Sequence, residues 1–251
     1  SSQNDINDIS IISFYEEIDF LNLSESKFTE FLNEFDFNEM TNSLWTNLCR
    51  CFYVNYDPKQ CKKPIERYLY EGELFEYDGN EMNRFKGIIH HLTEKTGGNV
   101  NDNKTVIVTA SSSFSNRYAK YAVDLDDKYH YFQSQAHPNS WIKYDFGDMK
   151  VRPNKYSIRS RHDCGQGGYH LKNWVIEVSE TDNDDDWKVI DSRSDVMSLD
   201  DQNAVQTFDI NEKLGENDFY RFLRLRQTGV NTGNNFTLPL SALEYFGYLK
   251  A

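Results

Sequence analysis

One cysteine and two histidines lie close enough together in the sequence to suggest thiol chemistry. Cys164 stands between His162 and His170 in the segment HDCGQGGYH. A catalytic thiol requires an imidazole base that a third group holds in place. The glycines after Cys164 indicate a flexible loop, and the sequence contains none of the common hydrolase, P-loop, zinc-protease or dinucleotide motifs. We therefore expect no enzyme activity.

A second set of polar residues stands where predicted strands end or in the loops beyond them. Arginine beside amide and imidazole groups can hold a carboxylate, a set of sugar hydroxyls or an acidic peptide. The same arginines could instead pair with acids on the strand faces, and the Gly/Asn loops could serve only as turns. Both interpretations are open at this point. The candidate ligand- or partner-binding residues are Arg159, His170, Arg226, Asn231, His137 and Asn139.

Four segments with alternating apolar residues predict the strands that position these side chains. In one of them Leu223 and Leu225 share a face, while Arg224 and Arg226 share the other. Several such strands without a helical pattern between them favour an antiparallel sandwich over a parallel sheet. The segments are NSWIKYDFGD (139–148), YHLKNWVIEVS (169–179), FYRFLRLRQTG (219–229) and LSALEYFG (240–247). We expect the core to include Trp141, Trp174, Leu223 and Leu225.

In this order the segments resemble the discoidin domain, also called the coagulation factor V/VIII type C domain. The residues that carry the resemblance form four motifs: Trp141 to Phe146, Trp174 to Ser179 with Trp187 after it, Phe222 to Leu225, and Leu240 to Gly247. The resemblance implies a mainly β fold, an antiparallel jelly-roll sandwich of the galactose-binding-like type. It also implies that ligands bind where loops converge at one end of the sandwich, as loops on a rigid scaffold often do.

Calcium is a further implication of the resemblance. Many relatives carry an A-x-D-G loop that is closed by the Glu of the final L-E pair, and these positions correspond here to Asp124 and Glu244. Leu125 replaces the glycine, and Tyr129 stands where a threonine ligand is usual. Calcium binds about six to eight oxygens. We therefore expect no cofactor, with calcium at Asp124 and Glu244 as the alternative.

The N-terminal part of the chain has a helical rather than a strand pattern. The segment FTEFLNEFDFNEMTNSLWTNLCRCF (28–52) resembles BACK-like helices, which precede a discoidin domain in cytoplasmic BTB-containing proteins of protists. The alternative is a small helical cap that belongs to the sandwich. The predicted organisation is a helical segment at 1–55, a connector with a short helix at 56–98, and the sandwich at 99–251.

Composition limits the choice of partner and compartment. The chain has 27 Lys plus Arg against 40 Asp plus Glu, a net charge of −13, which disfavours nucleic acid as a ligand. The sequence has no apolar run of the roughly 20 residues that would cross a bilayer, and we expect no secretory leader. Secreted discoidin domains commonly join their ends by a disulfide, but neither end of this sandwich has a cysteine. These features predict a cytoplasmic protein, and association with the cytoskeleton is compatible with them.

Three functions are compatible with the sequence. The first is a non-catalytic intracellular adaptor that recognises a protein partner through the loops at one end of the sandwich; the BACK resemblance would imply substrate recruitment to a ubiquitin ligase. The second is a lectin-like module, for which Tyr169 or Phe236 could supply the aromatic platform. The third is a structural component of a cytoskeletal or ciliary assembly.

Overall fold

The computed structural model describes residues 72–250 and, before them, Lys27, Glu30, Phe31, Phe35 and Thr41. The chain divides into two compact units, residues 1–64 and 65–251. Most of the predicted BACK-like segment lies outside the described residues. Within it, Phe31 and Phe35 are buried and their rings stack at 5.0 Å. No helix in the described part of the chain is long and apolar enough to cross a membrane.

The described part of the second unit is an antiparallel β-sandwich, which confirms the predicted fold class. Its strands are β1 (Glu73–Phe75), β2 (Ile107–Ala110), β3 (Phe132–Gln133), β4 (Trp141–Asp145), β5 (Lys150–Arg159), β6 (Trp174–Ser179), β7 (Lys188–Arg193), β8 (Val205–Asp209), β9 (Phe222–Gln227), β10 (Pro239–Leu240) and β11 (Ala242–Lys250). One sheet has the order β2-β4-β9-β6-β7, and the facing sheet has the order β1-β11-β5-β8. A short sheet pairs β10 with β3.

One α-helix, α1 (Ile88–Thr96), packs against the four-stranded sheet among the described residues. It lies within the 56–98 segment for which a short helix was predicted, and its residues Ile88, Ile89 and Leu92 are all buried. The helix ends at Gly97, whose left-handed backbone (φ 74°) lets its N–H bond to the carbonyl of Thr93. The segment predicted as a connector thus contributes α1 and the edge strand β1 to the sandwich unit.

The core forms between the two sheets from the inward residues of each strand. Trp174, Leu223 and Leu225 are fully buried, as predicted. The prediction for Trp141 was wrong. In β4 the inward residues are Ile142 and Tyr144, so strand alternation places Trp141 on the half-exposed outer face.

Trp174 is held by a polar chain as well as by packing. Its Nε1 donates to the hydroxyl of Tyr156 at 2.9 Å, and that hydroxyl donates to Asp191 at 2.6 Å. Arg193 completes the chain by donating to Asp191 at 2.8 Å. The ring of Phe208 packs edge-on against the indole at 5.2 Å. This tryptophan therefore joins the two sheets through apolar and polar contacts together.

We expect Trp174→Ala to lower the free energy of unfolding by about 3–5 kcal/mol, because it leaves a cavity and removes the donor to Tyr156. Trp187→Ala is the matched control, since Trp187 is half-buried beneath the Arg224 guanidinium at 3.9 Å; it should cost about 1 kcal/mol. Urea denaturation followed by circular dichroism measures both. Equal losses for the two variants would contradict the assignment of Trp174 to the core.

Candidate functional site

Several loops meet at one end of the five-stranded sheet. Ala110 at the end of β2 pairs with Ile142 at the start of β4, and Gln227 at the end of β9 pairs with Trp174 at the start of β6. The strands therefore enter and leave the loops at the same edge. We call this region the loop end; it comprises residues 111–131, 134–140, 160–173 and 228–238.

Arg159, one of the predicted binding residues, lies inside the protein. It is 4% exposed. Its guanidinium donates to the carbonyls of Leu125 at 2.9 Å and Asp127 at 2.6 Å, and its Nε donates to the hydroxyl of Ser241 at 3.2 Å. Because these donors are used internally, the side chain braces the loop rather than presenting itself to a ligand.

His170 and Asn231 are also buried; His170 ties two loops together, and Asn231 bonds within its own loop. The Nε2–H of His170 points to the carbonyl of Cys164 at 3.0 Å. The backbone N–H of His170 donates to the hydroxyl oxygen of Thr232, and the backbone N–H of Thr232 donates to the carbonyl of His170, each at 3.0 Å. Asn231 donates to the carbonyl of Thr237 at 3.0 Å within its own loop. Both residues shape the loop end from beneath its surface.

Arg226, Asn139 and His137 lie together at the surface. Arg226 Nη1 donates to Asn139 Oδ1 at 3.4 Å, and the loop that holds exposed Asn139 also holds exposed His137. Arg226 Nη2 also donates to Glu177 at 2.6 Å, and this hydrogen bond raises the pKa of the arginine. The structure thus places Arg226 both in an ion pair with Glu177 and beside Asn139, another predicted binding residue.

The sequence did not indicate a second polar cluster at the loop end, the arginine–tyrosine cluster. The Tyr131 hydroxyl donates to Asp163 Oδ2 at 2.7 Å, and Arg161 Nη2 donates to the same carboxylate oxygen at 2.8 Å. Arg117 donates to Gln133 Oε1 at 2.7 Å. The guanidinium carbons of Arg117 and Arg161 lie 4.1 and 4.6 Å from the centre of the Tyr131 ring. Such cation–ring contacts hold both arginines in place.

The arginine–tyrosine cluster carries two guanidinium groups for one carboxylate. Burial raises the pKa of Asp163, but the hydrogen bonds and charge of Arg161 outweigh it and hold that pKa below its ordinary value. The side chains of Arg117 and Asp163 are 29% and 30% exposed, whereas Arg161 is buried. The cluster, which has an excess of positive charge, can therefore present one guanidinium and one carboxylate to a ligand.

Cys164 and its neighbouring histidine do not form a nucleophilic pair. The thiol donates to the carbonyl of Gly168, and burial raises its pKa, which favours the unreactive protonated form. His170 Nε2 lies 3.8 Å from the sulfur. It also lies 3.0 and 3.1 Å from the carbonyl oxygens of Cys164 and Gly165, to which it must act as a donor, so it cannot accept the thiol proton.

Glu244, predicted as a calcium ligand, caps the N-terminus of α1 instead. Its two carboxylate oxygens accept four backbone N–H groups, those of Gly87, Ile89, His90 and Tyr245, at 2.8–3.2 Å. Burial raises the pKa of Glu244 to about 7, and these donors oppose a larger rise. Within the described residues no group of three or more His, Cys, Asp or Glu side chains could hold a metal ion.

A family model of the F5/8 type C domain matches residues 107–240. This chain belongs to the F5/8 type C (discoidin) domain family. Domains of this family are binding modules, and they commonly bind carbohydrates or proteins. The family assigned from the four sequence motifs is therefore confirmed.

The individual proteins that resemble this F5/8 type C domain share less than a third of its residues. The E3 ubiquitin-protein ligase Ufd4 of Drosophila melanogaster is 29% identical over 109 residues, which are 43% of this chain and 4% of the ligase. Among solved structures, CpGH89CBM32-5 from Clostridium perfringens in complex with GalNAc-β-1,3-galactose has 17% identity and a TM-score of 0.44, over 57% of this chain and 96% of that one. The striped bass (Morone saxatilis) serum fucolectin has 16% identity and a TM-score of 0.44, over 61% and 48%.

Glu244→Gln should lower the free energy of unfolding by about 1–3 kcal/mol at pH 5, where the raised pKa keeps the folded side chain mostly protonated. Both oxygens of the acid keep lone pairs that can accept N–H groups, whereas the amide nitrogen of glutamine cannot accept the two N–H groups that reach its position. Glu94→Gln, at a 71% exposed side chain of the same helix, is the control and should change little. Chemical denaturation measures both.

The same pair of proteins tests the titration of Glu244. A carboxyl whose folded-state pKa is raised from 4.5 to about 7 stabilises the fold fully below its unfolded pKa and loses that contribution as pH rises through about 7. The difference in unfolding free energy between the wild type and Glu244→Gln should therefore shrink between pH 5 and pH 8. A difference that stays constant or grows over this range would contradict the raised pKa.

Proposed function

We propose that this chain is a non-catalytic binding module that recognises a protein partner through its loop end. The observation that carries the proposal is the position of the exposed aromatic side chains. Tyrosine and arginine are enriched among the residues that contribute most to protein–protein binding. The described residues include five exposed aromatic side chains, all of them on loops of the loop end and none on a strand: Phe114, Tyr118, Tyr129, Tyr169 and Phe236.

Some of these rings are continuous with the arginine–tyrosine cluster. Tyr129, which is 80% exposed, contacts the ring of His162 at 6.3 Å, and His162 contacts Tyr131 at 5.6 Å. The guanidinium of Arg117 lies over the ring of Tyr131, and the backbone N–H of Arg117 donates to the carbonyl of Phe114 at 3.2 Å. We call the accessible members Phe114, Arg117, Tyr129, His162 and Asp163 the recognition surface.

The recognition surface is held in place before a partner arrives. Arg161 is buried and fixes Asp163, while Gln133 and the Tyr131 ring fix Arg117. A side chain that is already ordered loses less conformational entropy when a partner binds it. The excess guanidinium charge favours a partner that offers a carboxylate, and Arg117 is the group that can reach it.

An intracellular adaptor is the specific role we propose. The resemblance of residues 28–52 to BACK-like helices and the similarity to a segment of a Drosophila ubiquitin-protein ligase both support recruitment of a protein to a ligase. Cys164, the cysteine within the described residues, is a free thiol, which is compatible with a reducing cytoplasm. A fluorescent fusion of the full-length protein that localised to the secretory pathway would contradict this placement.

Carbohydrate binding is the second candidate, and Tyr169 is the observation that favours it. Its backbone is in the left-handed region (φ 58°), and its ring is 46% exposed. The ring covers Gly233, where an added Cβ would lie 2.6 Å from Tyr169 Cδ1. A fixed, exposed ring of this kind can stack on a sugar face, and such a shallow site would bind with a Kd of about 1 mM.

One experiment separates the two candidates. The chain is immobilised, an extract of the source cells is passed over it, and the retained proteins are compared with those retained after periodate has destroyed the glycans in the extract. We expect specific proteins to be retained in both cases. The double variant Arg117→Ala/Tyr129→Ala should weaken their binding at least about tenfold. Val189→Ala is the control, since Val189 is 46% exposed on the outward face of β7 and should leave binding unchanged.

Other outcomes would overturn the protein-partner proposal. Loss of every retained protein after periodate, together with loss of binding in Tyr169→Ala, would establish the carbohydrate function instead. If the folded double variant retains every protein as tightly as Val189→Ala does, the recognition surface is not the binding site. Circular dichroism of each variant confirms that it is folded.

A further inference from the structure

Several carbonyl groups around Asp124, the residue that the family resemblance assigns to a calcium loop, already have donors within the protein. The Tyr144 hydroxyl lies 3.3 Å from the carbonyl oxygen of Ala122 and 3.1 Å from that of Leu243. The Arg159 guanidinium donates to the carbonyls of Leu125 and Asp127 at 2.9 and 2.6 Å. A calcium ion needs the lone pairs of several such oxygens at once.

Arg159 also supplies the positive charge at this place. Burial lowers the pKa of Arg159, and the charges of Asp127, Asp126 and Asp124 act on its guanidinium to oppose this lowering. A second cation that approached the same carbonyls would be repelled by the guanidinium in a region of low dielectric constant. The donor set and the charge of the loop therefore do not fit a calcium ion beside Arg159.

The carboxylate side of the predicted calcium site is also satisfied from within the chain. Glu244 accepts N–H groups from the first turn of α1, which carries a partial positive charge from the helix dipole. Both halves of the site are adjacent, because Arg159 pairs with Ala242 on β11, the strand that carries Glu244. The ring of Phe85, just before α1, lies 5.2 Å from the Arg159 guanidinium.

We propose that two internal positive groups, the Arg159 guanidinium and the N-terminus of α1, replace a calcium ion in this sandwich. The guanidinium gathers the carbonyls of the loop, and the helix N-terminus compensates the carboxylate. Guanidinium suits this role because its planar fork presents several donors at fixed angles. The loop that carries Tyr129 is then ordered without any metal, so the stability of the protein is independent of calcium.

The test is the melting temperature of the full chain in millimolar calcium chloride and in EDTA at equal ionic strength. The wild type should change by less than about 1 °C, because nothing binds the folded state preferentially. Arg159→Ala should melt about 5 °C or more below the wild type in EDTA. Calcium should restore part of that loss, since the variant frees the carbonyls of Leu125 and Asp127 and removes a positive charge that acts on three nearby aspartates.

Arg152→Ala is the matched control. Arg152 is a buried arginine on the same strand, and its guanidinium lies 4.2 Å from the Tyr248 ring, so its removal should lower the melting temperature with no response to calcium. If Arg159→Ala does not fold, Arg159→Lys takes its place, with a melting temperature between those expected for the wild type and the alanine variant. A wild type that calcium stabilises by several degrees would overturn the proposal, and so would a folded Arg159→Ala that gains nothing from calcium.

Discussion

The sandwich depends on how one buried carboxylate is compensated. Glu244 is fully buried on β11, an inner strand of the four-stranded sheet, and a buried charge without partners would cost several kcal/mol. The N–H groups of the first turn of α1 supply the partners, which requires the helix to approach β11 closely. Gly87 permits this approach, because a Cβ there would lie 2.3 Å from the carbonyl oxygen of Tyr245. The helix is therefore a structural part of the sandwich unit.

Buried polar groups also order the loop end. Buried polar side chains such as Arg159, His170 and Asn231 use their donors on loop backbone and give each loop one conformation. The accessible side chains that we propose for partner contact, among them Arg117 and Tyr129, stand on this ordered base. A site built in this way combines ordered geometry with accessible chemistry.

The sequence predicted the fold better than the site, for physical reasons that particular residues illustrate. Strand alternation is a local property, so the sequence showed which residues of β6 and β9 share a face, although both faces of β6 are buried. Alternation alone does not say which face is inward, and for this reason Trp141 was misplaced. The arginine–tyrosine cluster depends on contacts between residues distant in sequence, such as Arg117 with Gln133 and Tyr131 with Asp163, and no spacing signals them. Only the short interval between Arg161 and Asp163 offered a local hint.

Native-state hydrogen exchange at the first turn of α1 tests the central claim most directly. The amides of Ile89 and His90 have no partner within the helix, and such amides ordinarily exchange fast. Because both donate to buried Glu244, we predict that they exchange as slowly as Leu92 in the next turn. Exchange of Ile89 and His90 at the rate of an unstructured peptide, while Leu92 stays protected, would contradict the account.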